Sequence, residues 1–225
     1  MKTALALLIF AIALLADDVR LLEAPAVSAE ADEQAKKALY YGIGMLKAND
    51  LKEAEKFINQ ALEIEPDYID AIDYLGIVYR RKGEYKKAEK AYIRSIELNA
   101  TNFVPFVNVA LVYRAQNKMD KAIEMYRKVI EFEPENAEPY FGLGGIYFER
   151  KDYNRSITFF DTAAEKYKAT NSNLIYDAYY MLGLNYYHLK NYGEALKNFE
   201  YVLSEYPENS EAKEIAEEIK ELLEN

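Results

Sequence analysis

A small residue recurs in this chain at intervals of 34 positions, with one five-residue slip before its last occurrence. The positions are Gly42, Gly76, Ala110, Gly144 and Gly183. Sixteen positions after each of them stands a large apolar or aromatic residue: Ile58, Tyr92, Tyr126, Phe160 and Phe199. A fixed period of this length is typical of a stack of similar supersecondary units. The chain is therefore expected to fold as a linear array of repeats.

Each repeat contains two apolar patterns of helical period, separated by a short polar turn. In the second repeat the first pattern is Ile72, Leu75, Gly76 and Tyr79, and the second is Ala88, Ala91, Tyr92 and Ser95. The turn between them is Lys82-Gly83-Glu84. The preceding repeat ends at Glu65-Pro66-Asp67, where proline disfavours continuation of a helix. Each repeat is thus predicted to be a helix hairpin.

A second row of small residues stands twelve positions after the first row: Ala54, Ala88, Ala122, Ser156 and Ala195. Helix axes approach to about 8–10 Å only where the side chains at the contact permit it. Gly or Ala at the crossing leaves a hole, and Tyr or Phe of the neighbouring helix can fill it. The pattern predicts close helix pairs with large side chains at their contacts.

With these features the chain resembles the tetratricopeptide repeat (TPR) family, whose pattern asks for a bulky residue, Leu-Gly, Tyr, Ala, an aromatic residue, Ala and Pro at fixed offsets. The resemblance covers five repeats: 35–68, 69–102, 103–136, 137–170 and 176–209. The departures are Ala110 for Gly, Ala100 for Pro, Ser156 for Ala, Lys168 for Pro and an insertion from Asn171 to Ile175. The resemblance implies an all-α, right-handed α-solenoid that acts as a protein–protein interaction scaffold.

Composition narrows the classes of function. The chain has 225 residues, no cysteine and a formal net charge of −10. Without cysteine, a disulfide framework, thiol catalysis and a zinc–thiolate site are excluded. A nucleic-acid partner is disfavoured, because phosphate binding requires clustered Lys and Arg. The excess acid is interpreted as a solvated surface.

The N-terminus differs from the repeats. Lys2 is followed by an apolar run from Ala4 to Ala16, which is shorter than the ~20 residues needed to span a bilayer and fits the core of a signal peptide. Residues 1–29 are interpreted as a signal peptide or export lead and 30–34 as a linker, which predicts a periplasmic or extracellular protein. Val27-Ser28-Ala29 fits the small-x-small cleavage rule. The alternative is an uncleaved membrane anchor over residues 4–16.

Residues 210–225 are predicted to form a C-terminal capping helix. Ser210 is expected to cap a helix from Glu211 to Leu223. Its apolar stripe is Ala212, Ile215, Ala216, Ile219 and Leu222. The opposite face is charged, and an open stack of repeats needs such a polar outer surface to stay soluble.

The resemblance also assigns the residues that line the concave groove, on the first helix of each repeat. The candidate binding residues are Leu39, Ile43, Ile77, Arg80, Val107, Asn108, Leu111, Arg114, Phe141, Gly145, Phe148, Tyr180, Leu184 and Tyr187. Asp73 and His188 occupy further groove positions. Some family members hold a terminal carboxylate with Lys and Asn, but the corresponding positions of the first repeat are Leu39 and Ile43, so this clamp is missing.

The groove candidates allow two interpretations. Arg80 and Arg114, one repeat apart, could hold an acidic group through bidentate hydrogen bonds, or they are ordinary helix-surface arginines. The apolar candidates could bind a partner helix or an extended peptide, or they pack within the solenoid. Gly145 removes a side chain from the groove and could admit one from a ligand.

The sequence predicts neither an enzyme nor a cofactor, metal ion or small-molecule substrate. Phe141-Gly142-Leu143-Gly144-Gly145 lies inside a predicted helix and lacks the Lys-Ser or Lys-Thr of a phosphate-binding loop. In this run, Gly144 is assigned to the helix contact. His188 is the only histidine, so neither a paired-histidine metal site nor a catalytic triad can form.

Two triplets match the glycosylation acceptor pattern: Asn99-Ala100-Thr101 and Asn154-Arg155-Ser156. Both fall in predicted turns. Asn99 and Asn154 are therefore candidate glycosylation sites if the chain enters a compartment that glycosylates.

Two classes of function remain open from the sequence. The first is an exported adaptor whose groove binds a peptide or helix of another protein, in the assembly of an envelope or secreted complex. The second is a self-associating structural protein that forms an oligomer or filament, because a heterologous contact that does not close will propagate. In either case the expected partner is a protein, and a membrane is involved only if the N-terminal segment stays uncleaved.

Overall fold

The computed structural model describes residues 31–224, within which eleven α-helices follow one another and no strand occurs. The helices are α1 (Glu33–Lys47), α2 (Leu51–Ile64), α3 (Ile69–Arg81), α4 (Tyr85–Leu98), α5 (Val104–Ala115), α6 (Met119–Phe132), α7 (Glu138–Glu149), α8 (Tyr153–Ala169), α9 (Ile175–His188), α10 (Tyr192–Glu205) and α11 (Ser210–Glu224). The all-α fold of consecutive helix hairpins is confirmed.

The predicted export segment, residues 1–29, lies outside the described residues. The alternative anchor over residues 4–16 lies outside them as well. Among the helices of residues 31–224, none combines the length and the apolar character that crossing a membrane requires.

The turn inside each repeat has the same backbone conformation, which fixes how the two helices of a hairpin are joined. One residue has a positive φ, and the next helix begins within two residues of it. The positive-φ residues are Asn49, Gly83, Asn117, Lys151 and Lys190. Glycine and asparagine adopt this left-handed conformation at low cost. The prediction that a short polar turn joins the two helices of each repeat is confirmed in all five repeats.

The residue that follows the positive-φ position caps the next helix in several of these turns. Asp50 accepts the backbone N–H of Glu53 at 3.1 Å, and Asp152 accepts that of Arg155 at 3.2 Å. An N-cap oxygen satisfies one of the donors that a helix start leaves unpaired, which is worth about 1 kcal/mol. The short polar turns therefore both end one helix and start the next.

The chain divides into two compact units, with the boundary inside α6 between Met125 and Tyr126. In the first unit α1 packs on α2 and α3 on α4; in the second unit α7 packs on α8, and α9 on α8 and α10. Each unit has its own core. Fully buried side chains include Leu39, Leu46, Ile58, Ile72 and Tyr92 in the first unit and Tyr126, Leu143, Phe160, Leu182 and Phe199 in the second.

The small residues of the period leave the space that these side chains fill. A Cβ atom on Gly76 would lie 2.5 Å from Cε1 of Tyr92, and one on Gly183 would lie 2.9 Å from Cζ of Phe199. Real Cβ atoms do not approach other atoms so closely. The predicted packing of a ring against a small residue is confirmed at both contacts.

The last helix begins one residue earlier than the sequence indicates. Asn209, not Ser210, provides the cap, because its Oδ1 accepts the backbone N–H of Ala212 at 3.0 Å. Ser210 is the first helical residue. The predicted apolar stripe packs on α10 through its central residues, whereas Leu222 is 45% exposed near the end of the helix.

Candidate functional site

Eight of the predicted groove residues lie on the first helices of the first unit, α1, α3 and α5. Five of these residues are apolar: Leu39, Ile43, Ile77 and Leu111 are buried, and Val107 is partly exposed. Packing within the unit accounts for the four buried side chains.

Two polar side chains of α5 are buried as deeply as the core. Asn108 is 2% exposed and Arg114 is 7% exposed. Within the described part of the chain, the side-chain nitrogen Nδ2 of Asn108 has no hydrogen-bond partner. A buried donor left in this state costs about 1–3 kcal/mol. Stability of the free protein therefore does not explain why an asparagine stands here.

A carboxyl group, that of Asp73, lies at a groove position of α3 that is apolar in the neighbouring repeats. Asp73 stands one period after Leu39 and one before Val107. Burial raises the pKa of Asp73 to about 7, the nearby Ser95 hydroxyl opposes this rise, and the negative charge of Asp70 adds to it. Asp73 is therefore close to half protonated at neutral pH.

Ser95 is a neighbour of this site that the groove assignment misses. It lies on α4 and is fully buried. Other repeats carry Ala61, Val129 and Ala163 at the same position. The sequence does mark Ser95, because it carries a hydroxyl at a position that is apolar in these other repeats. The helical period alone, however, assigns Ser95 to the stripe of residues that pack between helices.

Arg80 lies beside the ring that fills the contact at Gly76. Burial raises the pKa of the Tyr92 hydroxyl, and the positive charge of Arg80 acts in the opposite direction. The neighbouring Arg81 donates from Nη1 to the backbone oxygen of Leu46 at 3.2 Å.

Five residues of the first unit form what we call the polar segment: Asp73, Arg80, Ser95, Asn108 and Arg114.

The second unit carries the other six candidates on α7 and α9. Phe141 packs edge-on against Phe160 at a centroid distance of 5.1 Å, and Tyr180 packs edge-on against Phe199 at 5.5 Å. Gly145, Tyr180 and Leu184 are buried, and Phe141, Phe148 and Tyr187 are partly exposed. Most of the predicted aromatic track of this unit is therefore engaged in packing.

The capping helix also contacts this track. The hydroxyl of Tyr187 donates to Oε1 of Glu218 on α11 at 2.6 Å. His188, the next residue, stacks on Tyr153 with a centroid distance of 4.9 Å and an interplanar angle of 7°. Burial lowers the pKa of His188, and the positive charge of Lys151 lowers it further. Within residues 31–224 no group of three or more His, Cys, Asp or Glu side chains is arranged to hold a metal ion.

Sequence models of known protein families agree with the periodicity and with the helix hairpins. A model described as TPR repeat matches residues 110–151. Two models described as tetratricopeptide repeat match residues 176–209 and residues 37–68 and 75–102. The chain belongs to the tetratricopeptide repeat family. TPR proteins are in general non-enzymatic scaffolds for protein–protein interaction, and this coarser part of the predicted function is confirmed.

Solved TPR structures resemble this chain over most of its length. A chain of the APC/C heterotetramer Cut9–Hcn1 matches with a TM-score of 0.71 and 21% identity, over 83% of this chain and 36% of that chain. A TPR protein from Parabacteroides merdae ATCC 43184 matches with a TM-score of 0.66 and 20% identity, over 85% of this chain and 74% of that chain. YrrB, described as a TPR protein with an unusual peptide-binding site, matches with a TM-score of 0.58 and 19% identity, over 80% and 90%. These likenesses show the fold.

No curated protein sequence matches this TPR chain.

The two glycosylation triplets of this TPR chain lie in different surroundings. Asn99 is exposed in a turn after α4, and its Oδ1 accepts the Thr101 hydroxyl at 2.7 Å. Asn154 is exposed but is the second residue of α8, which begins directly after its cap Asp152, so this triplet does not lie in the predicted turn. The hydroxyl of Ser156 is buried and donates to the backbone oxygen of Gly144 at 2.9 Å.

Proposed function

We propose that this TPR chain is an adaptor that binds an acidic peptide segment of a partner protein against the polar segment of its first unit. One observation carries the proposal: the buried Asn108 side chain, whose Nδ2 has no hydrogen-bond partner within residues 31–224. A ligand carbonyl oxygen is the chemical group that this nitrogen lacks. The peptide-binding site described for YrrB supports the general role.

The charge of the bound segment follows from the arginines. Arg80 and Arg114 occupy the same position in successive repeats. A guanidinium group recognises a carboxylate through two parallel hydrogen bonds, which lysine cannot match. The chain as a whole carries a net charge of −10. Two arginines at equivalent positions of successive repeats, in an otherwise acidic protein, favour an acidic ligand at this place.

The Arg114→Gln variant tests this proposal. Peptides selected from a random library on the wild-type protein are expected to be enriched in Asp or Glu. Arg114→Gln is expected to weaken binding of a selected peptide about tenfold or more, because a hydrogen bond to a charged group contributes about 1.5–3 kcal/mol. Fluorescence anisotropy of the labelled peptide measures the change in Kd.

Arg94→Gln is the matched control. Arg94 lies in the same unit, is exposed and forms an ion pair with Asp67 at 2.9 Å. Its replacement therefore also removes one positive charge, but at a site outside the polar segment. Equal losses in the two variants, or selected peptides without acidic residues, contradict the proposal. A molar mass that grows with protein concentration in light scattering, with no peptide selected, would favour self-association instead. Tyr40 and Tyr41, which are 54% and 53% exposed on α1, are the first residues to replace in that case.

We further propose that the adaptor is exported and acts in the assembly of an envelope or secreted complex. The support is the pattern of residues 1–29, an apolar run after Lys2 followed by Val27-Ser28-Ala29. Expression of the full chain in a secreting host is expected to yield a protein that begins at Glu30. N-terminal sequencing of the secreted fraction checks this, and an intact chain recovered from the membrane fraction would favour the anchor.

A further inference from the structure

A surface cavity of about 460 Å³ lies in the second unit, between α8, α9 and α10. Tyr179 and Tyr186 line it from α9, two helical turns apart. They lie beside the predicted groove residues Tyr180 and Tyr187 in sequence but are not among them. The cavity is therefore a separate feature of this unit.

Aromatic rings form part of the cavity wall. The rings of Tyr179 and Tyr201 approach to a centroid distance of 4.3 Å with an interplanar angle of 47°. Tyr201 is 40% exposed, so its ring is accessible from solvent. The face of a tyrosine ring carries negative electrostatic potential and attracts cations. This wall favours a positively charged ligand with some apolar surface.

The charged residues of the cavity also favour a positively charged ligand. Glu194 and Lys197 form an ion pair at 3.6 Å, so their charges largely offset each other. Asp161 also lines the cavity, and no residue of the described chain forms an ion pair or hydrogen bond with it. Burial raises the pKa of the Tyr186 hydroxyl, and the negative charges of Asp161 and Glu194 raise it further. Burial and the negative charge of Glu165 raise the pKa of Asp161, and its carboxylate, when ionised, gives the cavity negative potential.

We propose that this cavity binds an organic cation, a guanidinium or ammonium group on an alkyl stem. The stem would lie against Tyr179 and Tyr201, and the charged end would pair with Asp161. An anion would be repelled by Asp161, and a neutral ligand would leave that carboxylate unpaired. An arginine or lysine side chain of a protein and a free polyamine share this chemistry. The proposal concerns a different unit and an opposite ligand charge from the acidic-peptide site.

Titration of the intact protein with a matched pair of probes tests the cavity. The probes are N-acetylarginine methylamide and its neutral isostere N-acetylcitrulline methylamide, followed by NMR of isotope-labelled tyrosine rings. We expect saturable shifts of Tyr179, Tyr186 and Tyr201 and a Kd roughly fivefold lower for the arginine probe, the scale of an exposed cation–π contact with one ion pair. Asp161→Asn is expected to raise the Kd of the arginine probe about threefold.

Glu214→Gln is the matched control, because Glu214 is an exposed carboxylate on α11 whose loss changes the net charge equally. Its Kd for the arginine probe is expected to equal that of the wild type. Should Asp161→Asn fail to fold, Tyr201→Leu replaces a half-exposed ring and is expected to raise the Kd by a similar factor. Spermidine that binds more tightly than the arginine probe supports a free polyamine, and weaker spermidine binding supports a protein side chain. Equal affinity for the two probes, or a Kd that Asp161→Asn leaves unchanged, overturns the proposal.

Discussion

The Asp73→Asn variant is expected to be more stable than the wild type by as much as about 4 kcal/mol near pH 8. In the folded protein, burial raises the pKa of Asp73 from an ordinary value of 3.8 to about 7. Each pKa unit between the folded and unfolded states corresponds to about 1.4 kcal/mol. Ionised Asp73 therefore lowers the free energy of unfolding, and a neutral amide of nearly the same shape removes that cost.

The direction of the pH dependence follows from the raised pKa. The folded state holds the proton of Asp73 more tightly than the unfolded state. The favourable contribution of the protonated form is therefore fully present below the unfolded pKa of 3.8, and it is lost as the pH rises through about 7. In the wild type, this group alone is expected to lower the free energy of unfolding by about 2–3 kcal/mol between about pH 5 and pH 8.

Urea denaturation of both proteins at these two pH values measures the effect. The stability difference between Asp73→Asn and the wild type is expected to widen with pH. Asp67→Asn is the control, since Asp67 is an exposed carboxylate paired with Arg94 and its replacement is expected to change stability by less than about 1 kcal/mol. Parallel pH profiles for Asp73→Asn and the wild type would show that Asp73 is solvated in the folded state.

The cost of Asp73 connects stability to function. The positions equivalent to Asp73 in the other repeats hold Leu39, Val107, Phe141 and Tyr180, so an apolar residue fits this place in the fold. Asn108 likewise leaves a buried donor unpaired. Departures from local packing rules that lower stability tend to occur where a protein binds something. Both departures belong to the polar segment, which is where the acidic-peptide site is proposed.

The fold could be predicted from the sequence because it depends on local spacing. The step of 34 residues defines the hairpins, and residues such as Asn49 and Gly83 mark the turns through their tolerance of positive φ. The predicted start of the last helix is wrong by one residue, because Asn209 rather than Ser210 provides the cap, and several polar residues in a row can each act as a cap. The triplet at Asn154 is predicted to lie in a turn but belongs to α8, which begins directly after Asp152.

The site could be predicted only in part. The period correctly places Arg114 and Asn108 on the first helix of the third repeat, but it cannot give their burial, which depends on side chains from other helices. Ser95 lies near Asp73 but on a different helix, and no spacing rule relates the two positions. The cavity at Tyr179 and Tyr201 depends on the distance between α8, α9 and α10, which sequence periodicity does not specify.

The Gly142→Ala variant is expected to be destabilised by about 2 kcal/mol or more, although alanine favours a helix by about 1 kcal/mol over glycine. The sequence assigns the helix contact of this segment to Gly144, whose added Cβ would lie 3.0 Å from the Phe160 ring. In the structure Gly142 is packed more tightly still, because an added Cβ would overlap the ring of Tyr126. That ring is 1% exposed and cannot move aside without disturbing the core. Overpacking of this kind typically costs about 1–3 kcal/mol.

Gly44→Ala provides a control of opposite sign. Gly44 lies inside α1, is exposed, and an added Cβ would meet no atom within 4 Å. The same substitution is therefore expected to stabilise the protein by about 1 kcal/mol. Chemical denaturation of the two variants measures the difference, and a stabilised Gly142→Ala would contradict the packing argument.

A double-mutant cycle tests the cause as well as the size of the Gly142 effect. Tyr126→Leu removes the ring that the new methyl group would meet, so in that background Gly142→Ala is expected to lose most of its cost. The coupling energy between the two positions should be about 1–3 kcal/mol, as for residues in direct contact. Additive effects would mean that Gly142 is required for some reason other than the Tyr126 ring. A strong coupling would show that a second glycine of the segment serves helix packing, and that the glycine run is a consequence of the fold.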